Sequence, residues 1–411
     1  MRRLIRFVVE CIIVSYYDCV QFLRDFWQVH CCRLHEVVIR ETRGEAMVPN
    51  HMSRVAVVAI YPSDSGLTFT VNLLNALIKA NCYILVISSA RLPKAMSASL
   101  LPCCHQLIER ASVGRDFGSY RYGLQWIDRF PDRFRNLQTI VLANDSMFYP
   151  KSFDREVERM LADPAEWQCL FESYDIQLHA QSFFLVFGRP VFTSAAFRKF
   201  WAKFRPYSSR VHAIHRGEVG LSRVLCRSGW ACKATYSSSR IVSALLEHEE
   251  DMDLLWLGEL SPSEEWDISR TKLFAAAAAL MRNAAPEQEI STTGCLSASA
   301  GSDREQQRLM SNKADFRPDI LERRKWIHRI GQRCELSNPT HSVALLVNVL
   351  FGGPIKRDVC YRGTLDIFQV VQHAAGFDAR EREAMERDLV WRGLPASFRG
   401  IRRVLWRWGR L

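Results

Sequence analysis

A chain of 411 residues, 48% hydrophobic and 24% charged, is long enough to bury a large core and has the balance of a globular protein. Fifty-five Lys and Arg against 44 Asp and Glu leave a net charge of +11, which favours anionic partners such as phosphates, nucleic acid or an acidic membrane surface. The 13 cysteines include the adjacent pairs Cys31-Cys32 and Cys103-Cys104 and no CxxC, so buried free thiols in a reducing cytoplasm are expected, not a zinc site or a disulfide framework.

The amino terminus, MRRLIRFVVECIIVSYYDCVQFL, has early arginines and an apolar run. Arg6, Glu10 and Asp18 interrupt that run, so it reads as neither a signal peptide nor a spanning helix. Residues 1–50 are expected as a basic amphipathic helical segment that lies on a membrane or packs on the main domain. The first strong strand is RVAVVAIYP, from Arg54. Leu73, Leu74, Leu77 and Ile78 then recur at helical spacing, and YILVISSA is a second buried strand. Strand, helix and strand of these lengths make a βαβ unit with a parallel sheet. Residues 101–115 are mixed. GSYRYGLQWIDRF reads as a helix and LQTIVLAND as a third strand, continuing the alternation of a nucleotide-binding α/β domain. Two strand-like runs surround the polar centre of residues 167–192, and further helix and strand follow to WACKATYSS. The α/β domain is expected over 51–270, a Ser/Thr/Gly/Ala-rich linker or insertion over 271–310, and a helical region over 311–411. That region ends in FRGIRRVLWRWGRL, where arginines alternate with Trp406 and Trp408. Such a tail suits an interfacial helix at an anionic leaflet or a solvated basic end.

Neither GxGxxG nor GxxxxGK[ST] occurs, which speaks against a dinucleotide dehydrogenase and a P-loop NTPase; GxSxG and HExxH are also missing. Three polar clusters remain. GRDFGSYRYG offers Arg115, Asp116, Gly118 and Arg121 in a glycine-bracketed loop that opens a helix, a form that can hold an anion or be an ordinary capped helix. Asn144, Asp145 and Ser146 end a strand. A carboxylate there can hold a divalent cation against a diphosphate or merely form the turn. In ESYDIQLHAQSFFLVF, Glu172, Asp175, His179, Gln181 and Ser182 are held between apolar runs, where burial is costly unless they are satisfied or line a cleft. Asp175 is one candidate general base, with His179 beside it, and Glu218 in GEVGLS is the competitor.

With those motifs in order, VAVVAIYP, GRDFGSYRYGL, IVLANDSMFYP, HAQSFFLVF and GEVGLS, the chain resembles the rhamnan synthesis protein F family. NPTHSVALLVNVLFGGPIKRDV, with Asn338, His341 and Lys356, resembles a carboxyl-terminal element of the same family. The resemblance implies a GT-A-like glycosyltransferase of rhamnose-containing or other cell-surface polysaccharides, including lipopolysaccharide O-chains. It places Arg115, Asp116, Gly118, Arg121, Asn144, Asp145, Ser146, His179, Gln181 and Ser182 on family motif positions. The resulting expectation has five parts. Catalysis falls to Asp175, Glu218 and His179. The donor site comprises Arg115, Asp116, Gly118, Arg121, Asn144, Asp145, Ser146, Gln181 and Ser182. Asn338, His341 and Lys356 hold the acceptor or the structure, and Mg²⁺ or Mn²⁺ sits on Asp145. The donor is a nucleoside-diphosphate sugar, with dTDP-rhamnose as a candidate, and the acceptor is a saccharide on a lipid carrier. The protein is then cytoplasmic and peripheral to an anionic inner membrane. A non-catalytic assembly factor that keeps the fold is the alternative. Nucleic acid is not expected as a partner, because the basic residues do not gather on one face with interleaved aromatics.

Overall fold

The structure is a computed structural model and describes residues 2–49, 51–63, 66–174, 176–259, 319–336, 338–362, 365–394 and 398–410. Its centre is the run RVAVVAI, which is β2 (Arg54–Ile60). Val55, Val57 and Ala59 pack into one core cluster and Ala56, Val58 and Ile60 into another, so the strand is covered on both sides. That double burial is why the run is continuously apolar instead of alternating. β3 (Tyr83–Ser88), β4 (Gln106–Arg110) and β5 (Thr139–Asn144) lie parallel to it in the order β4-β3-β2-β5. β1 (Val38–Arg43) adds an antiparallel edge beside β4. On the far side β10 (Phe184–Gly188) pairs antiparallel with β5 and with β7 (Trp167–Cys169), β11 (Cys232–Ala234) closes the eight-stranded sheet parallel to β7, and β8 (Glu172–Ser173) and β9 (His179–Ala180) form a separate antiparallel pair. The architecture is thus α/β with a mainly parallel centre and a helical carboxyl-terminal region.

The helix Leu67–Lys79, which leaves β2, packs on one face of the sheet; the helix Arg115–Asp128, which leaves β4, packs on the other. The chain therefore changes direction between β2 and β5. In open α/β sheets the crevice beyond the strand ends at such a switch point is where ligands bind. Tyr61 follows β2 and Asp145 follows β5, so the strand-end Asp stands at that switch point.

The carboxyl-terminal region is built onto the same place. Asn338 caps the short helix Pro339–Ser342, accepting from the Thr340 N–H at 3.1 Å, and the apolar helix Ala344–Phe351 follows. Gly352, at φ +65°, ends that helix in the left-handed conformation that glycine adopts most easily. The chain then forms β12 (Ile355–Lys356). β12 pairs antiparallel with β6 (Met147–Phe148), two residues beyond Asp145. Asp378 begins the helix Ala379–Arg392 with a capping box. Its Glu381 accepts from Asn72 at 2.7 Å and from the Lys151 N–H at 2.9 Å, which fastens this helix to the sheet domain.

The termini meet each other. The helix Arg2–Phe26 receives the helix Gly400–Arg407 and the residues after it, where Arg407 and Trp408 bind Glu10 and Arg410 binds Asp18. Trp406 donates to the Tyr361 carbonyl at 2.9 Å. The carboxyl-terminal Trp-Arg string is consequently tied back to the protein, not an extended basic tail.

Candidate functional site

Asp145 is buried, and one of its carboxylate oxygens accepts from the Tyr61 N–H at 2.8 Å, bridging the ends of β5 and β2. Burial raises its pKa, with Arg357 opposing. Arg357 lies 4.0 Å from that carboxylate and donates to the Asp145 carbonyl at 3.0 Å. Asn144 is fully engaged beside it. Its side-chain oxygen accepts from the Ser146 N–H and hydroxyl, and its amide donates to Asp116 at 2.9 Å. Asn144 and Ser146 therefore orient Asp116. Burial lifts Asp116 to about 6; Arg115 opposes the rise and Asp145 adds to it. Asp116 sits in the first turn of its helix, after Gly114 at φ +86° and Arg115 at φ +51°. A positive φ at an arginine is a costly backbone state, and such strain gathers at functional loops.

Glu218 arrives from the other side, at the end of a π-helical turn, Ala213–Glu218, that leads into the helix Val219–Arg227. Such turns are frequent at functional sites. One oxygen of Glu218 accepts from the Ser182 hydroxyl at 2.7 Å and from its N–H at 3.1 Å; the other lies 3.9 Å from Nε2 of the buried His179. The His179 Nδ1 meets the Gln177 carbonyl at 2.8 Å. Two buried tyrosines fix the frame, Tyr120 donating to the Ser182 carbonyl and Tyr149 to the carbonyls of Asn144 and Phe183. The Gln181 side-chain oxygen is buried without a hydrogen-bond partner among the described residues, an acceptor that a ligand or water donor would satisfy.

The cations come from elements far away in sequence. Lys356, on β12, places its Nζ 3.3 Å from the centre of the Phe183 ring. Burial pulls its pKa down to about 8 against the attraction of Asp358 and Glu218. Arg210 is held below its ordinary value by burial and by Arg362, with Asp358 and Glu218 opposing. His341 meets Asp358 at 2.9 Å, and Arg362 donates to the same carboxylate. Burial pushes Asp358 upward, and His341, Lys356 and Arg362 together overcome it, so its pKa lies well below the usual carboxylate range. Acids Asp116, Asp145, Glu218 and Asp358 thus share one region with Arg115, Arg210, Lys356 and Arg357.

Residues 84–250 match the family model of rhamnan synthesis protein F. That segment carries every acid and cation just described except Lys356, Arg357, Asp358, Arg362 and the histidine His341, which the carboxyl-terminal region supplies from beyond the family match. That family is named for rhamnan synthesis, which is a polysaccharide synthesis. An uncharacterized protein y4gN of Sinorhizobium fredii (strain NBRC 101917 / NGR234) is 24% identical over 235 residues, 55% of this chain and 60% of that protein. Virulence protein VirA of Vibrio anguillarum (strain ATCC 68554 / 775) is 26% identical over 111 residues, 27% of this chain and 35% of that protein. The chain thus spans less than two thirds of either relative.

Several expected site residues have other places. Arg121 donates to the Trp201 carbonyl at 3.2 Å, and its charged neighbours are Arg205 and Glu36, not the strand-end acids. Gly118 packs where no side chain fits: a Cβ would lie 2.4 Å from the Val113 carbonyl oxygen. We expect Gly118→Ala to cost about 1–3 kcal/mol by overpacking, seen in the denaturant midpoint with an unchanged slope. Asn338 and His341 act through the cap and Asp358. Asp175 lies outside the described residues. Arg210, Arg357 and Asp358 were not among the residues expected from sequence.

The divalent cation expected at Asp145 can be judged from its donors. Among the described residues no three His, Cys, Asp or Glu side chains gather as a cage for a metal ion. Asp145 and Asp116 are a neighbouring carboxylate pair, and each has one oxygen engaged by a protein N–H. Mg²⁺ is commonly held by one or two carboxylates, waters and substrate phosphates, so the pair fits an ion that arrives with a phosphorylated substrate.

Proposed function

We propose that the chain is a glycosyltransferase with a GT-A-like nucleotide-binding half. It would move a sugar, with rhamnose as the candidate, from a nucleoside diphosphate to a lipid-linked or surface polysaccharide acceptor. The observation that carries this reading is the meeting of Asp116, Asp145 and Glu218 with Arg115, Arg210 and Lys356 at the switch point between β2 and β5. A diphosphate needs fixed positive charge, and a hydroxyl acceptor needs a base. This cluster offers both.

In this reading Arg115, Arg210 and Lys356 hold the donor diphosphate. Negative charge grows on that group as the sugar departs, so cations fixed there stabilise the transition state more than the bound donor. Asp145 and Asp116 would hold Mg²⁺ or Mn²⁺, which would supply further charge against the same phosphates. Glu218, oriented by Ser182, takes the proton of the acceptor hydroxyl. The engagement of Asp145 by Tyr61 and Arg357 favours a second reading, an assembly factor in which the same residues only brace the fold.

Thermal shift with dTDP-, UDP- and GDP-sugars, with and without Mn²⁺, separates the two. A transferase is stabilised by one donor class, by about 2.7 kcal/mol at a hundredfold excess over Kd. An assembly factor is stabilised by none. Lys356 gives the binding a pH signature. It is protonated at pH 7 and loses its charge as the pH rises through about 8, so donor affinity falls between pH 7 and pH 9. Lys356→Met binds about 10- to 100-fold more weakly at pH 7, the value of one charge-assisted hydrogen bond, and lacks this component of the pH dependence.

A further inference from the structure

The helix Arg2–Phe26 is inverted relative to what water requires. At 100° per residue Glu10, Val14, Asp18, Gln21 and Asp25 share one face. That face is turned inward: Glu10 is 6% and Asp25 0% exposed. Glu10 is satisfied by Arg407 and Trp408, Asp18 by Arg410, and Asp25 by Gln21 and the Ser209 N–H. The opposite face carries Ile5, Val9, Ile12, Tyr16, Leu23 and Trp27, spaced by three, four or seven residues, and all six are exposed, Ile12 at 62% and Tyr16 at 72%. A helix packed on a protein in water normally does the reverse, and a contiguous apolar stripe of this length marks a surface that something covers.

The charges say what covers it. All three acids of the helix point to the protein or pair with the carboxyl-terminal residues, which leaves only cations outward. Arg24 and Arg6 share one angle on the same wheel, at the border between the two faces, where Arg24 is exposed and Arg6 donates to Glu10 at 3.1 Å. The exposed Arg402 and Arg403 stand on the helix Gly400–Arg407, which the Glu10 and Asp18 contacts fasten alongside. A second copy on this face would bring the exposed Arg24, Arg402 and Arg403 near their own kind with no outward acid of the helix to receive them. An anionic lipid surface receives them all, and its acyl boundary receives the Ile, Leu, Tyr and Trp side chains. Among the described residues no helix is long and apolar enough to cross a membrane, so the helix would lie along the surface.

We propose that the outer face of Arg2–Phe26 is a docking surface for an anionic bilayer, and that the paired termini form one clasp that holds it rigidly to the sheet domain. The clasp lets the helix turn its acids away from lipid, since each finds a donor in the carboxyl-terminal residues or the core. This inference does not depend on the sugar-transfer reading, because vesicle binding is measured without nucleotide or acceptor.

The test is flotation of the full chain with vesicles of phosphatidylglycerol and phosphatidylethanolamine, against pure phosphatidylcholine, at low and high salt. Binding to the anionic vesicles, weakened by salt and at least tenfold lower on phosphatidylcholine, is the expected result. Ile12→Glu with Leu23→Glu should lower that binding at least tenfold while the circular dichroism and melting profile stay unchanged, because both side chains are exposed. The lipid and salt comparisons need no variant and decide the matter even if the double variant misfolds. No flotation of the wild type, equal binding to neutral vesicles, or a folded double variant that binds undiminished would each overturn the proposal. So would a wild-type dimer that the double substitution converts to a monomer without any lipid binding.

Discussion

Arg357→Met is expected to destabilise the protein by about 3 kcal/mol and to abolish donor binding with it. Arg357 and Asp388 are 2% and 0% exposed, and the guanidinium binds both oxygens of that carboxylate, at 2.5 and 3.0 Å. It also donates to the Ser63 hydroxyl and to the Asp145 carbonyl. Removing one member of a buried pair leaves the other charged in a site of low polarity, the costly half of the interaction. Arg392 still donates to Asp388 at 2.8 Å, which keeps the expected loss near the lower end of the range for broken buried pairs. Arg357→Met combined with Asp388→Leu should recover most of the stability, because no uncompensated charge remains. Donor binding should not return, since β12 would no longer be drawn against Asp145 and Lys356 would lose its place. Urea unfolding of the two variants, with the thermal shift beside it, reads both effects. A double variant no more stable than the single would mean that the arginine acts mainly by packing. Gly66 gives an independent handle, because a Cβ there would fall 2.1 Å from the Arg357 guanidinium.

The same residues explain why the sheet was legible and much of the site was not. VAVVAI, YILVIS and TIVLAN announce β2, β3 and β5 because both faces of each are buried, and no polar residue breaks the run. β4, QLIER, lacks such a run and reads only as mixed. Its Glu109 is buried and satisfied by Arg40 of β1 at 2.7 and 2.8 Å, and its Arg110 donates to the His35 carbonyl from beside the Tyr122 ring. A charge made tolerable by a partner 69 residues away carries no local signature. Asp145 could be found because it ends an apolar strand, Asp116 because glycines bracket its loop, and Glu218 because it opens a helix. Arg357 and Asp358 could not, although the adjoining Lys356 is named from sequence, since only the fold brings Arg357 to Asp145 across 212 residues. Arg121 is expected beside Arg115 because both stand on motif positions of the resembled family. Six residues on a helix is 600°, however, which puts the two on different faces. The terminal helix was readable as amphipathic, but which face would be turned inward depended on acid partners at the other end of the chain.

Glu218→Gln is expected to lower turnover by about 10²- to 10⁴-fold while leaving donor affinity within about twofold, the separation that identifies a general base. The substitution preserves shape. A glutamine oxygen can accept the same two hydrogen bonds from Ser182, at 2.7 and 3.1 Å, so the π-helical turn and the strand end opposite it should keep their places. What is lost is a carboxylate able to take a proton from an acceptor hydroxyl. Ser182→Ala should cost less, because the base survives and only its orientation loosens. His179→Gln should also cost less if the histidine positions Glu218 from 3.9 Å and does not itself take the proton. The measurement is single-turnover transfer from the donor that stabilises the protein to a lipid-linked acceptor fraction, with the donor Kd read alongside. Undiminished turnover in Glu218→Gln would remove Glu218 as the base and give that role to Asp175. If turnover fell and donor affinity collapsed with it, Glu218 would instead be holding the cations Arg210 and Lys356 in place, and its charge would serve the diphosphate site.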